Sequence, residues 1–156
     1  RMLSKVGWNA RRVFVEYGPG GGTFTRPILD RLADDGVLIA IDTNPDFITY
    51  LKRTIADPRL VLVNGSAADV RTILANHGHE NADYVLSGLP FSTLPPGVGP
   101  AIMHETHGVL QTGGAFVVYQ YALKVLQLMR PYFQRIDRDF EPFNIPPAQV
   151  FWAWKD

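Results

Sequence analysis

Two carboxylates and a set of glycines near the start of the chain have the spacing of a ligand-binding site. Glu16 lies two residues before Gly18, and further glycines follow at Gly20 and Gly22. These glycines would let the backbone turn tightly and come close to a ligand. A carboxylate before the turn would repel a pyrophosphate but suits a ligand that carries an ammonium and a sulfonium. Asp42 follows about 20 residues later, where the ribose hydroxyls of a nucleotide-type ligand would be held.

The residues around the glycines predict the strand–helix–strand unit that positions these groups. Residues 13–15 and 37–41 have the apolar composition of buried parallel strands, and apolar residues within 25–35 recur at helical spacing. Such a unit is half of an open doubly wound sheet, which binds ligands at the carboxyl ends of its strands. Two alternatives remain: a plain tight turn at the glycines, and Asp42 as a helix N-cap, a role for which Asn44 competes.

The rest of the chain continues the alternation of strands and helices. Short apolar runs bounded by glycine or proline predict strands, and apolar residues at helical spacing predict helices. The two final strands have no helix between them, so the expected fold is α/β, with a mostly parallel sheet and one antiparallel strand. The further predicted strands are 60–63, 82–86, 115–119, 132–136 and 149–154, and the further helices are 45–56, a segment ending near 76, 99–111 and 122–130.

Composition limits the class of protein. The 156 residues, 46% of them hydrophobic, are expected to form a single domain over residues 1–156. A formal charge of zero argues against nucleic acid as a partner, and the lack of cysteine excludes disulfides and thiolate metal sites. No apolar run approaches the ~20 residues that cross a bilayer. His104 and His107 are three residues apart, which is not the spacing of a helical zinc site, so no metal is expected.

Residues 1–12 form a basic and apolar N-terminal segment. This composition suits either contact with an anionic membrane surface or a short helix packed on the domain. Because the chain starts with Arg1 rather than methionine, we expect part of a longer N-terminal segment to be absent. The cations and apolar side chains concerned are Arg1, Met2, Leu3, Lys5, Val6, Trp8, Arg11 and Arg12.

The spacing of Glu16 and the glycines resembles the first motif of class I S-adenosylmethionine-dependent methyltransferases, E/D-x-G-x-G-x-G. The resemblance implies a Rossmann-like seven-stranded sheet in the order 3-2-1-4-5-7-6, helices on both faces and S-adenosyl-L-methionine as the cofactor. Where that family usually has an aspartate that bonds the adenine amino group, this chain has Ser66, whose uncharged hydroxyl would weaken adenine binding. The cofactor-binding residues that the resemblance implies are Glu16, Tyr17, Gly18, Gly20, Gly22, Asp42, Thr43, Ser66, Ala67, Ser87 and Gly88.

The S-G-L-P sequence at residues 87–90 resembles bacterial phospholipid N-methyltransferases, and the likeness covers nearly the whole chain, including residues 144–151. It implies methylation of the amine of phosphatidylethanolamine, repeated to phosphatidylcholine, by a cytoplasmic protein at the inner face of the membrane. The products are methylated ammonium ions, which aromatic faces attract. Phe91, Tyr119 and Tyr121 are therefore predicted to line the substrate site, with core packing as the alternative for Phe91 and Tyr119.

Other functions stay open at this point. Gly88 stands where enzymes that methylate adenine or glutamine place Asn or Asp, so an amide that holds a planar amine is missing. The phospholipid enzymes nevertheless resemble ribosomal adenine dimethylases, which makes a ribosomal RNA adenine N6-methyltransferase or another small-amine methyltransferase the second hypothesis. A nucleotide-binding oxidoreductase domain and a methyltransferase-like domain without turnover are the remaining ones.

Overall fold

One sheet of seven strands organises the computed structural model, which describes residues 3–8, 12–120, 124–141 and 148–156. Its spatial order is β3-β2-β1-β4-β5-β7-β6, as predicted. β1 pairs in parallel with β2 and β4, whereas β7 is antiparallel to both β5 and β6. The strands are β1 (Val13–Tyr17), β2 (Val37–Asp42), β3 (Leu60–Asn64), β4 (Ala82–Ser87), β5 (Leu110–Gln120), β6 (Arg135–Glu141) and β7 (Ala148–Trp154).

Helices connect the strands and cover both faces of the sheet. Short 3-10 turns at Ala67–Asp69 and Phe91–Thr93 follow the ends of β3 and β4. Within the described ranges, no helix combines the length and the apolar character that a membrane span requires. The α-helices are α1 (Thr25–Arg31), α2 (Pro45–Thr54), α3 (Val70–Asn76), α4 (Val98–Val109) and α5 (Val125–Met129).

The sheet buries an apolar layer on each face, and β1 contributes to both. Helices α3, α4 and α5 pack on the layer that contains Val15 and Tyr17, and α1 packs on the layer that contains Phe14. Successive residues of a strand point to opposite faces. Glu16 therefore points to the same side as Phe14, toward α1, and this alternation decides which groups can reach the ligand site.

Helix α1 ends at Arg31, before the predicted end at residue 35. The guanidinium of Arg59 accounts for the difference. Its Nη1 donates to the carbonyl of Leu32 at 2.5 Å, and its Nη2 donates to the carbonyl of Leu29 at 2.7 Å. These bonds satisfy carbonyls of the last turn, so the chain can leave the helix there without losing hydrogen bonds.

The predicted strand at 132–136 was wrong in position. Phe133 lies in the turn after α5 and is buried in the core, and the strand that follows is β6. Asp137 and Asp139 alternate with other side chains along β6, a pattern that suits the edge of a sheet, where charges discourage further strand pairing. Tyr132 and Phe133 thus serve packing, whereas Ile136 lies within β6.

The described part of the N-terminal segment packs on the domain. Trp8 stacks on Phe14 with 5.1 Å between the ring centroids, and Lys5 forms an ion pair with Asp137 at 3.4 Å. Residues 3–5 form a turn rather than a helix. This part of the segment therefore packs on the domain, as one of the two alternatives expected, but it forms a turn and not a short helix. Residues 1, 2 and 9–11, Tyr121 and the predicted connection at 144–147 lie outside the described residues.

Candidate functional site

The glycine loop between β1 and α1 has the tight backbone that its sequence predicts. Gly18 and Gly22 have φ angles of 65° and 89°, which side-chain-bearing residues rarely adopt. The amide of Gly22 donates to the carbonyl of Pro19 at 2.9 Å, which closes the turn. The amide of Gly18 donates to the carbonyl of Ile41 at 2.9 Å, so the start of the loop is fixed to the end of β2.

Asp42 lies beside this loop at the carboxyl end of β2. Its Oδ2 accepts from the amide of Gly20 at 3.3 Å, and its Oδ1 accepts from the amide of Asn44 at 2.9 Å. Asn44, not Asp42, caps α2, because the Asn44 side chain accepts from the amide of Asp46. Each carboxylate oxygen has a second lone pair, so Asp42 can still accept hydrogen bonds from a diol.

Glu16 lies beneath the glycine loop and is 1% exposed. Thr25 Oγ1 donates to Glu16 Oε1 at 2.6 Å. Burial raises the pKa of Glu16 from 4.5 to about 7; the hydrogen bond from Thr25 opposes this shift, and the charge of Asp42 adds to it. Glu16 is therefore a buried acid whose ionisation is sensitive to any cation placed next to it.

Tyr17 contributes its main chain to the site rather than its side chain. Its ring is fully buried on the opposite face of the sheet, where the hydroxyl forms a 2.8 Å hydrogen bond with Thr106. The Tyr17 carbonyl accepts from the amide of Gly88 at 3.1 Å, which ties the end of β1 to the end of β4. The hydroxyl of Ser87, itself buried, accepts from the amide of Leu89 at 3.1 Å and fixes the bend after β4.

The predicted residues of the adenine side lie at the ends of β2 and β3. Thr43 is exposed, and its carbonyl accepts from Asn64 Nδ2 at 3.1 Å. Ser66 caps the 3-10 turn at 67–69, with its hydroxyl accepting from the amide of Ala68 at 3.2 Å. Ala67 is 7% exposed. Because the hydroxyl hydrogen of Ser66 is not used in that bond, the side chain retains one donor and one acceptor position.

A cavity of about 380 Å³ opens beside the glycine loop. Its apolar side is formed by the rings of Phe24 and Tyr119, whose centroids lie 5.2 Å apart, together with Leu89 and Pro90. Of the residues described in its lining, none has a carboxylate, imidazole, amine or guanidinium. The lining residues are Gly18, Pro19, Gly20, Gly21, Thr23, Phe24, Gly88, Leu89, Pro90, Ser92 and Tyr119.

The structure brings together only part of the predicted aromatic wall. Tyr119 lines the cavity, but Phe91 is 4% exposed and its ring lies against Phe116 in the core. Phe91 therefore packs in the core, which was the alternative to its predicted place in the substrate site. Phe24 and Thr25 were not among the predicted site residues. Their position just after the last loop glycine was the available signal, since residues there must face the loop or the sheet.

A model of the methyltransferase domain family matches residues 14–114. The chain belongs to this family. This methyltransferase is 32% identical over 153 residues to an ornithine lipid N-methyltransferase of Singulisphaera acidiphila, a match that covers 97% of the chain and 80% of the relative. It is 30% identical over 127 residues to a Mycobacterium avium protein with a provisional O-methyltransferase name. That match covers 78% of the chain, but only 53% of the mycobacterial protein.

Solved structures show the same fold. The methyltransferase matches N-methyltransferase NodS from Bradyrhizobium japonicum with a TM-score of 0.75 at 13% identity, covering 95% of this chain and 89% of that one. Human methyltransferase-like protein 13 in complex with SAH gives a TM-score of 0.74 at 12% identity, with 96% and 74% covered. The predicted class I methyltransferase fold and the predicted cofactor, S-adenosylmethionine, are confirmed.

The site of the methyltransferase fits this cofactor. A Cβ built on Gly20 or Gly21 would meet no atom within 4 Å, so the outer side of the loop is open to a ligand. Asp42 beside the loop offers acceptors for a diol. The carboxylate of Glu16, two residues before the loop, is 1% exposed and is the acid that would neutralise an ammonium. These residue types suit the diol and the ammonium of the cofactor.

Proposed function

We propose that this methyltransferase transfers the methyl group of S-adenosylmethionine to the amine of a membrane lipid, with phosphatidylethanolamine as the predicted substrate. The cavity carries this proposal, because its described lining has no carboxylate, imidazole, amine or guanidinium and only the phenol of Tyr119 as a titratable group. The similarity to a protein named as an ornithine lipid N-methyltransferase supports a lipid amine as the acceptor. Phosphatidylethanolamine and ornithine lipid share an acyl-bearing, amine-containing structure, so both are substrates to compare directly.

Nitrogen suits this cavity better than oxygen as the acceptor. A hydroxyl must lose its proton as it is methylated, which generally requires a positioned base. An amine attacks through its own lone pair once it is neutral, and burial in an apolar site favours the neutral form. Leu89 and Pro90 provide such surroundings next to the loop. The cavity therefore favours transfer to nitrogen, although the mycobacterial relative has an O-methyltransferase name.

The residues of the chain act by holding and orienting the reactants. When bound, the cofactor supplies an electrophilic methyl group on a sulfonium. Asp42 is proposed to accept hydrogen bonds from the ribose hydroxyls, and Glu16 to face the ammonium through the loop. The main chain of Gly18 and Gly88 forms the floor between the two reactants, and the apolar wall excludes water.

A nucleic-acid acceptor is less well supported. The bend at 87–90 is held by Ser87 bonding to the amide of Leu89, and Gly88 offers no side-chain acceptor for the amino group of a base. A ribosomal RNA methyltransferase remains the second hypothesis because the phospholipid N-methyltransferases resemble ribosomal adenine dimethylases in overall pattern. Methylation of RNA is accordingly one arm of the test.

Helix α2 offers a surface for contact with a lipid bilayer. Phe47 and Tyr50 are 40% and 47% exposed, although both side chains are large and hydrophobic. Lys52 and Arg53 lie in the last turn of the same helix. Arg53 follows Tyr50 by three residues and so lies on the same side of the helix, and aromatic side chains with a neighbouring cation bind the interface of an anionic bilayer. Because Leu51 packs against the glycine loop, this surface lies next to the cofactor site.

The experiment is methyl transfer from labelled S-adenosylmethionine in parallel reactions. Vesicles of phosphatidylethanolamine, vesicles of ornithine lipid, vesicles of phosphatidylcholine alone and ribosomal RNA are the four acceptors. We expect label in an aminolipid and none in phosphatidylcholine, which has no free amine. Label in RNA with none in either aminolipid, from protein shown to bind S-adenosylhomocysteine, would refute the proposal.

A further inference from the structure

Phe24 and Tyr119 form an aromatic corner at the wall of the cavity. Phe24 directly precedes α1, and Tyr119 lies near the end of β5, so the two rings come from separate elements. Their centroids are 5.2 Å apart and their planes are inclined by 58°. Both residues line the cavity together with Leu89 and Pro90. A corner of this shape can contact a rounded ligand group from two sides.

The chemistry of the corner selects for one kind of group. Ring faces attract cations, and the attraction is stronger where water is excluded. A primary ammonium is compact and strongly hydrated, so it gains little from leaving water for a ring face. Each added methyl group makes the ammonium larger and less hydrated, and it adds apolar surface that Leu89 and Pro90 can cover.

We propose that the Phe24–Tyr119 corner is a binding site for methylated ammonium groups, which retains partly methylated lipid for further transfers. The inference rests on the proposed function and names a subsite within it. In each transfer the nitrogen lone pair forms the new N–C bond, and the electron pair of the broken S–C bond stays on sulfur. The first and second products each lose a proton to solvent before the next transfer. The third product has no lone pair, so the series ends there.

A binding experiment tests the corner without turnover. Choline presents a trimethylammonium group, and its neutral carbon isostere, dimethylbutanol, has nearly the same shape without charge. We expect calorimetry to show choline binding about 5- to 30-fold tighter than the isostere, the range that a cation–π contact gives. Equal affinities for the two ligands, or no choline binding to folded protein, would overturn the proposal.

Two variants assign the effect to the rings. Phe24→Leu keeps an apolar side chain but removes one ring face, and we expect choline affinity to fall about 5-fold or more while the isostere is unaffected. Tyr119→Phe keeps the ring and loses only the hydroxyl, so it should retain more of the choline affinity than Tyr119→Leu, which removes the ring. If Phe24→Leu does not fold, Tyr119→Leu makes the same test. Unchanged choline affinity in a folded ring-deletion variant would refute the role of the corner.

Saturation with S-adenosylhomocysteine distinguishes the substrate from the cofactor as the source of the cation. The rings could instead face the sulfonium of the cofactor, which is also a cation. Choline that still binds to the saturated protein supports an acceptor subsite, whereas loss of choline binding refutes it. The choline-binding result does not depend on methyl transfer. A failure of lipid methylation would therefore count against the proposed function and not against the corner.

The product distribution is the second readout. In assays that do methylate an aminolipid, we expect the wild type to form dimethylated and trimethylated lipid. Phe24→Leu should instead accumulate the monomethylated product, with a lower ratio of second to first transfer. An unchanged ratio in this variant would contradict retention by the corner, whatever the overall rate.

Discussion

Replacement of Glu16 by glutamine is expected to remove a pH-dependent loss of stability. Glu16 is 1% exposed, and burial raises its pKa from 4.5 to about 7. The folded protein therefore holds this proton more tightly than the unfolded chain. The stabilisation that results is fully present below the unfolded pKa of 4.5 and is lost as the pH rises toward the folded pKa of about 7.

The size of this loss follows from the two pKa values. With 4.5 in the unfolded chain and about 7 in the folded protein, the free energy of unfolding falls by about 2.5 kcal/mol between about pH 5 and about pH 8. Most of the fall occurs below about pH 7, because both states are ionised above it. Glutamine has nearly the same volume, and its amide oxygen can accept the hydrogen bond from Thr25. Glu16→Gln should therefore lack this loss.

The assay is urea unfolding of the cofactor-free protein at several values between about pH 5 and pH 8, followed by tryptophan fluorescence. The difference between variant and wild type is the quantity of interest, since contributions from other titrating groups cancel in it. Glu80→Gln makes the same chemical change at an exposed position and is expected to leave the pH dependence as it is in the wild type. If Glu16→Gln and the wild type lose stability in parallel, the burial argument for Glu16 is refuted.

Binding of S-adenosylhomocysteine gives an independent readout for the same residue. If the ammonium of the ligand lies next to Glu16, binding favours the ionised carboxylate, so wild-type affinity should rise between about pH 6 and pH 8. Calorimetry at each pH measures this change. Glu16→Gln should bind more weakly and without this rise. A rise of the same size in the variant would place the ammonium away from Glu16.

Three further predictions concern other parts of the structure. Asp42→Asn should weaken S-adenosylhomocysteine binding in calorimetry by about 10- to 100-fold, the effect of losing a charged hydrogen-bond acceptor, and unchanged affinity would exclude Asp42 from the ribose site. Joint replacement of Phe47 and Tyr50 by serine should reduce sedimentation with anionic vesicles while leaving S-adenosylhomocysteine affinity unchanged; equal sedimentation would exclude this surface. Gly114→Ala should cost about 1–3 kcal/mol in urea unfolding, because its Cβ would overlap the Asp83 carbonyl oxygen, and an unchanged midpoint would contradict that overlap.

The sequence predicts the sheet well because its central strands are apolar on both faces. Residues 13–15, 37–41 and 82–86 all lie within observed strands, since runs of this composition are stable mainly when buried between two layers. The edge strand β6 was misplaced because its alternating charges do not resemble a buried strand. The early end of α1 depends on Arg59, which is distant in sequence, so helical periodicity alone could not predict it.

At the site, too, features that depend on nearby residues could be predicted, whereas features that depend on packing between distant elements could not. The positions of the loop glycines and Asp42 could be predicted because they depend on backbone shape and on the end of a strand, both of which are local. Burial of Glu16 behind Thr25 depends on how α1 packs on the sheet. Phe91 was misassigned because the 3-10 turn at 91–93 directs its ring into the core, a rotation that residue spacing does not encode.

Main-chain hydrogen bonds join the ends of three neighbouring strands at the floor of the site. The amide of Gly18 bonds to the carbonyl of Ile41, and the amide of Gly88 bonds to the carbonyl of Tyr17. These links join main-chain atoms, and the side chains of Leu89 and Pro90, which line the cavity, take no part in them. If the cavity holds the acceptor as proposed, substitutions at those two positions would change the choice of amine while the bonds that join the strands stay in place.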